Sequence, residues 1–295
     1  MSIKILPIYD LRNIIEDWSI SVANAISASD NTDDLSLYAL HLSRLLAYPN
    51  LQVHHALEII DAMGKELQIS LKKRMPLRPT QIIEEINNYL FRILGFRGNE
   101  HDYFNPLNNF LNVVIERRLG IPITLSILYM RTAYLLNFKL YPVSFPAHFL
   151  VKHTLEDDDS EIIIDPYNEG RIMDDYTLKQ LLDQFYPNQN IPLTKDFVRK
   201  ATATQVLVRL LNNLKASYYE SQDLDSTEIA NEMILTLDKY NPNAVRDKGI
   251  LLIKKQRPEQ ALEMLNLYLE LDPEAEDVDV ILDTIHKTRS SINKS

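Results

Sequence analysis

The chain has 295 residues, 45% of them hydrophobic, and sets 41 acids against 31 bases for a formal charge of −10. That composition is ordinary for a globular protein with a real core, and the acidic balance disfavours sequence-independent nucleic-acid binding, which needs a basic surface. The complete absence of cysteine excludes a disulfide, a thiolate zinc site and a cysteine nucleophile.

Six glycines and long Leu/Ile/Ala periodicity predict a mostly helical fold. The opening MSIKILPIYDLRN shows no secretory leader, and no apolar run approaches the roughly eighteen residues of a membrane span. We therefore expect a cytoplasmic protein that does not engage a membrane. Ile14, Ile15, Trp18, Val22, Ala25 and Ile26 form a helical stripe over 8–29. Asn31 to Asp34 offer a cap and acidic first turn for a helix to Leu46. A third helix covers 51–72 and ends in Lys72, Lys73 and Arg74. Thr80 is placed to cap the next, which Gly95 stops. These elements make a helical layer over residues 1–100.

A core follows over 101–190. A helix over 106–119 ends at Gly120, and Pro122 suits the first position of another that runs to Leu136. Ile123, Ile127, Met130 and Tyr134 lie on one stripe of it. From Lys139 the period falls to two, with Val143, Phe145, Ala147, Phe149 and Val151 alternating with Ser144, Pro146, His148, Leu150 and Lys152 and a bend at Pro146. The acidic run 156–159 reads as a solvated hairpin tip, without the ligand spacing of a calcium loop. If the tip centres near 156–157, Phe149 opposes Ile164, Val151 opposes Ile162, and His148 opposes Asp165 on the other face. Asn168-Glu169-Gly170 makes a turn before a short helix near 175–186, and 187–193 is a linker candidate.

Residues 195–295 are helical and repeat. Ala230 and Ala261 lie 31 apart, as do Pro242 and Pro273. Tetratricopeptide repeats have a similar pattern with a period of about 34, their small residues letting paired helices approach closely. A short concave face there would receive a protein or peptide, or would simply buttress the core.

The segments ERRLGIPITLSILY, FPAHFLVKH and IIIDPYNEGR, with GFRGN before them and repeat-like helices after them, resemble the bacterial SirB-type transglutaminase-like/TPR family over about 35–280. The resemblance implies a papain-type arrangement: a cysteine at a helix start, a histidine on the next strand, an aspartate on the one after. His148 and Asp165 match the last two. The cysteine position falls near Pro122, Ile123 or Thr124, and none is a thiol. Two functions remain open. One is a non-catalytic, pseudoenzyme-like module that binds a protein or peptide through the core cleft and the repeats. The other is a hydrolase or acyltransferase using Thr124 or Ser126 with His148 and Asp165. The same two residues could also form a structural bond only. Arg117 and Arg118 either complement the end of their helix or, with Pro122, line the cleft and grip an anion near His148. No metal site and no cofactor is expected. His54 and His55 point apart on their helix, and neither a phosphate loop nor a hydrolase elbow occurs. The fold class expected is α+β, predominantly helical: a degenerate transglutaminase-like core with a small antiparallel sheet, then a TPR-like domain.

Overall fold

The computed structural model describes residues 11–155 and 160–292, so the acidic tip 156–159 and the first ten residues lie outside the described residues. The architecture is a helix-rich α+β one. Two compact units divide it: Met1–Ala23 with Leu211–Ser295, and Asn24–Leu210.

In the second of these, α2 (Asn24–Ala28), α3 (Leu35–Leu46), α4 (Val53–Leu71) and α5 (Pro79–Asn87) lead into the core. Asn31 accepts from the Asp33 amide ahead of α3. Thr80 does not cap α5. Pro79 takes the first helical position and Arg78 the cap, because the fixed φ of proline is already helical. A π-helical stretch Asn88–Ile93 ends the element, and Gly95 follows at φ +75. The helix expected over 106–119 is two pieces, a 3-10 turn Pro106–Asn109 and α6 (Leu111–Arg117). Arg118 stops it in the left-handed region at φ 59, before Gly120 is reached. A short parallel bridge then forms, with β1 (Arg97–Gly98) on β2 (Leu119–Gly120). Gly98 is required there, since a Cβ would sit 2.5 Å from the Tyr167 ring.

Helix α7 (Pro122–Leu135) is apolar on nearly every side and therefore buried on nearly every side. Only Arg131, Tyr134 and Leu135 escape, so Tyr134 is not part of a buried stripe. The sheet order is β3 (Tyr141–Val143), β4 (Leu150–Thr154), β5 (Glu161–Asp165) and β6 (Arg171–Met173), antiparallel throughout. Val143, Leu150, Ile163 and Met173 share a core cluster with Leu178 and Leu182 of α8 (Asp175–Phe185). Ile191 and Leu193, inside the linker candidate, pack against that cluster and so belong to the core.

The hairpin register is two residues from the expected one. Val151 pairs with Ile164 and His153 with Ile162. The loop closes at Leu155 N to Ser160 O, one residue beyond the assumed centre. Because the slip is even, every side chain keeps its face.

The other unit contains α1 (Leu11–Trp18) and its π-helical continuation Ser19–Ala23, then the rest of α9 (Ala203–Glu220) after Leu210. It is completed by α10 (Leu224–Leu237), α11 (Pro242–Lys254), α12 (Pro258–Leu271) and α13 (Val278–Ile292). The layer read over 1–100 is thus divided, with α1 packing on α10. Ala230 and Ala261 are fully buried on the second helix of each pair, where a larger side chain would hold the helices apart.

One buried histidine carries a pH prediction. His41 of α3 has a buried Nδ1 with no partner among the described residues. Burial first, then Arg44 and His54, lower its pKa from 6.5 to about 4. A depressed folded-state value means stability present above 6.5 that is lost as pH falls toward 4. Urea midpoints should fall across that window in the wild type and fall less in His41→Asn.

Candidate functional site

His148 does not stand on a strand. It follows a turn in which Ala147 takes φ +51 and the His148 amide donates to Phe145 O at 3.1 Å. Asp165 is the last residue of β5, directly opposite Arg171, and not opposite His148. The two side chains meet all the same: His148 Nε2 lies 2.8 Å from Asp165 Oδ2, with the carboxylate 1% exposed. The contact is close but outside hydrogen-bond geometry.

The carboxylate has other work. Oδ1 accepts from the Tyr167 and Asn168 amides at 3.1 and 3.3 Å, and Oδ2 from Asn168 Nδ2 at 2.6 Å. This caps the 3-10 turn Pro166–Asn168. Asp165 thereby fixes Tyr167, whose ring meets His148 edge-on at 5.9 Å. Tyr103 stands 6.3 Å from Tyr167 and 5.3 Å from Phe104, which is 72% exposed. Burial, with Glu100, Tyr103 and Asp165 adding to it, pushes the Tyr167 phenol up to about 12, so it stays a neutral hydroxyl. Tyr167 also lines a hollow of about 550 Å³, together with Arg97, Asn99, Glu100, His101 and Glu169.

The start of α7 presents hydroxyls, but they are in use. Thr124 is fully buried. Its Oγ1 accepts from Ile121 N at 3.1 Å and lies 3.0 Å from Asn108 O and 3.2 Å from Ile121 O. Ser126, also fully buried, points to Phe149 O at 3.4 Å. Pro122 is buried at the first helical position. Neither cleft arginine reaches His148. Arg118 donates to Leu94 O at 2.5 Å and stacks on Phe96, the reach its left-handed backbone gives it. Arg117 lies near Tyr48, with a buried Nη1 that has no hydrogen-bond partner among the described residues. Among those residues no three His, Asp or Glu cluster as a metal site would need.

The arginine that does stand beside the histidine loop is Arg209, at the Ser144 hydroxyl and the Phe145 carbonyl. It lies sixty-one positions from His148 in the chain, and no local pattern announces it.

The repeat unit has its own groove of about 410 Å³, lined by Lys215, Tyr219, Arg246, Asp247, Ile250 and Asp277. Lys215 pairs with Asp247 at 2.7 Å, and Arg246 with Asp247 and Asp277 at 2.9 and 3.0 Å. Lys215, Arg246 and Asp277 follow one another at intervals of 31, the spacing that had picked out the alanines. That spacing could have found them.

Residues 54–212 match the transglutaminase-like superfamily, and 214–286 match a tetratricopeptide repeat family. A UPF0162 protein of Xylella fastidiosa strain 9a5c is 32% identical over 276 residues, covering 91% of this chain and 95% of that protein. The UPF0162 protein YchA of Escherichia coli K12 is 25% identical over 77% of this chain and 81% of its own. F-box only protein 21 of the mouse is 34% identical over 142 residues, which are 46% of this chain and 21% of that protein.

Proposed function

Because the chain belongs to the transglutaminase-like superfamily and carries tetratricopeptide repeats behind that core, we propose that it is a non-catalytic module that binds a protein or peptide. Within the superfamily we group it with the SirB-type proteins, and we place it in the cytoplasm. In this reading the core, 101–190, and the repeats, 195–295, each offer a surface. His148 and Asp165 are kept to shape the core surface and not to activate a nucleophile.

The observation that carries this is the state of the helix tip. A thiol-dependent mechanism needs an acidified cysteine at that tip, and the chain has none. The two hydroxyls within reach by sequence are buried and directed at backbone carbonyls. Using Thr124 as a nucleophile would strip the Ile121 amide of its acceptor, leaving a buried donor unsatisfied. The hydroxyl-based hydrolase reading has no comparable support. At family scale, tetratricopeptide repeats commonly bind protein segments along their concave face.

A displayed peptide library selected on the whole chain tests the proposal. Phe104→Ala and Tyr219→Ala remove exposed or half-exposed rings from the two surfaces, so both variants should keep their fold. Selected peptides should lose binding to one variant or the other. A library that yields no binder, or binders indifferent to both substitutions, would overturn it.

A further inference from the structure

Arg209 extends from α9 to the loop that carries His148. Its Nη1 donates to Ser144 Oγ at 2.9 Å and to Phe145 O at 2.8 Å, and its guanidinium carbon stands 5.5 Å from the centre of the Phe149 ring. These contacts fix the plane of the group while using one nitrogen. Nε and Nη2 have no acceptor among the described residues and are not sealed from solvent, and no carboxylate of those residues pairs with this guanidinium. Burial lowers its pKa from the ordinary arginine value, with the Tyr103 phenol nearby acting the other way. A cation held in that way favours an anionic partner, because desolvation without a counter-charge is costly.

The same unit shows what such an edge does when a carboxylate is present. Arg131 binds Asp61 through Nε to Oδ1 at 2.7 Å and Nη2 to Oδ2 at 2.8 Å. Arg209 turns that two-pronged edge away from its own protein anchors. Tyr103 lies near it, and Tyr103, Tyr167 and His148 form one aromatic row.

We propose that Arg209, with Tyr103, Tyr167 and Phe149 around it, is a receptor for a monoanionic carboxylate carried on an apolar or aromatic stem. The guanidinium edge fits the two oxygens of a carboxylate in parallel. The rings supply flat apolar area for the stem. Asp165, across the His148 ring, adds a negative charge that disfavours a dianion such as phosphate. This rests on the interaction reading above and deepens it, by naming the chemistry of the group that the core surface takes. A peptide C-terminus and a free small acid share that chemistry.

The test is a nuclear magnetic resonance titration of the full ¹⁵N-labelled chain, following the arginine Nε–H signals. The Arg209 signal is identified by its loss in Arg209→Lys. The probes are N-acetylphenylalanine, its neutral amide, a peptide ending in phenylalanine, and inorganic phosphate. The two carboxylates should shift that signal saturably, with the amide weaker by about tenfold or more, as expected for loss of a charge-assisted pair. Arg209→Lys should weaken carboxylate binding by a similar factor, since an ammonium cannot grip in two places. Equal binding of acid and amide would overturn the proposal. So would carboxylate binding that is indifferent to Arg209→Lys, or phosphate acting at lower concentration than the carboxylates. If Arg209→Lys does not fold, the acid–amide comparison and Ser144→Ala, which releases one anchor of the guanidinium, decide instead. A stronger response to the peptide than to N-acetylphenylalanine marks a chain terminus as the source, and the reverse marks a small acid. Selected peptides indifferent to Arg209→Lys would remove this inference and leave the interaction reading. Carboxylate binding in a chain that selects no peptide would do the opposite.

Discussion

Asp165→Ala is expected to cost about 3–5 kcal/mol of stability, the range for breaking a buried pair and leaving its partners uncompensated. The substitution removes the acceptor of two backbone amides and of the Asn168 side chain, and it leaves His148 facing no charge. Asp165→Asn keeps an oxygen for the two amides and should cost only about 1–2 kcal/mol. His148→Ala should also stay near about 1–2 kcal/mol, because the carboxylate keeps all three of its hydrogen-bond donors. The asymmetry matters for function. It makes the aspartate the brace that positions Tyr167, and the histidine the member of the pair that stability can spare. Urea unfolding of the three variants followed by circular dichroism checks the order. Equal losses for Asp165→Ala and His148→Ala would mean that the pair acts as one unit.

Trp18→Ala should lower the stability of the repeat unit by about 3–5 kcal/mol, as for other buried tryptophans cut to alanine. Trp18 is fully buried, and its Nε1 donates to Met233 O at 3.2 Å, so a cavity and the loss of that hydrogen bond result. It is also the single tryptophan of the chain. Its fluorescence in the wild type therefore reports unfolding of the unit formed by Met1–Ala23 and Leu211–Ser295. Trp18→Phe should retain most of the packing and cost less than Trp18→Ala. If the unfolding midpoint of that unit stayed put in Trp18→Ala, α1 would not be holding α10 in place.

The helices were legible because their signals are local. Pro122 at a first turn, Gly95 at φ +75 and apolar spacing at 3.6 act within one element. What was not legible depended on distance in the chain. The hairpin register slipped by two because the turn geometry, which the alternation of Val143 to Val151 does not encode, sets the count. His148 and Asp165 meet through the turn at Ala147 and the cap at Pro166, not across the ladder that the alternation predicts. Arg117 and Arg118 sit just before Gly120 in the sequence, and that proximity points to them as the cleft arginines. The left-handed backbone of Arg118 turns it to Leu94 instead, and a third arginine, brought in by α9, occupies the position beside the histidine loop. The tyrosine row was hidden for the same reason, since Tyr103 and Tyr167 are far apart in the chain and meet only where β1 packs on the turn Pro166–Asn168.

A non-catalytic module has no activated nucleophile at the tip of α7. Incubating the native chain with a reactive fluorophosphonate, which captures an activated hydroxyl, and weighing the intact protein reads that property. The expected result is an unchanged mass for wild type and His148→Ala alike. An adduct mapped to Thr124 or Ser126 in the wild type, and lost in His148→Ala, would contradict it.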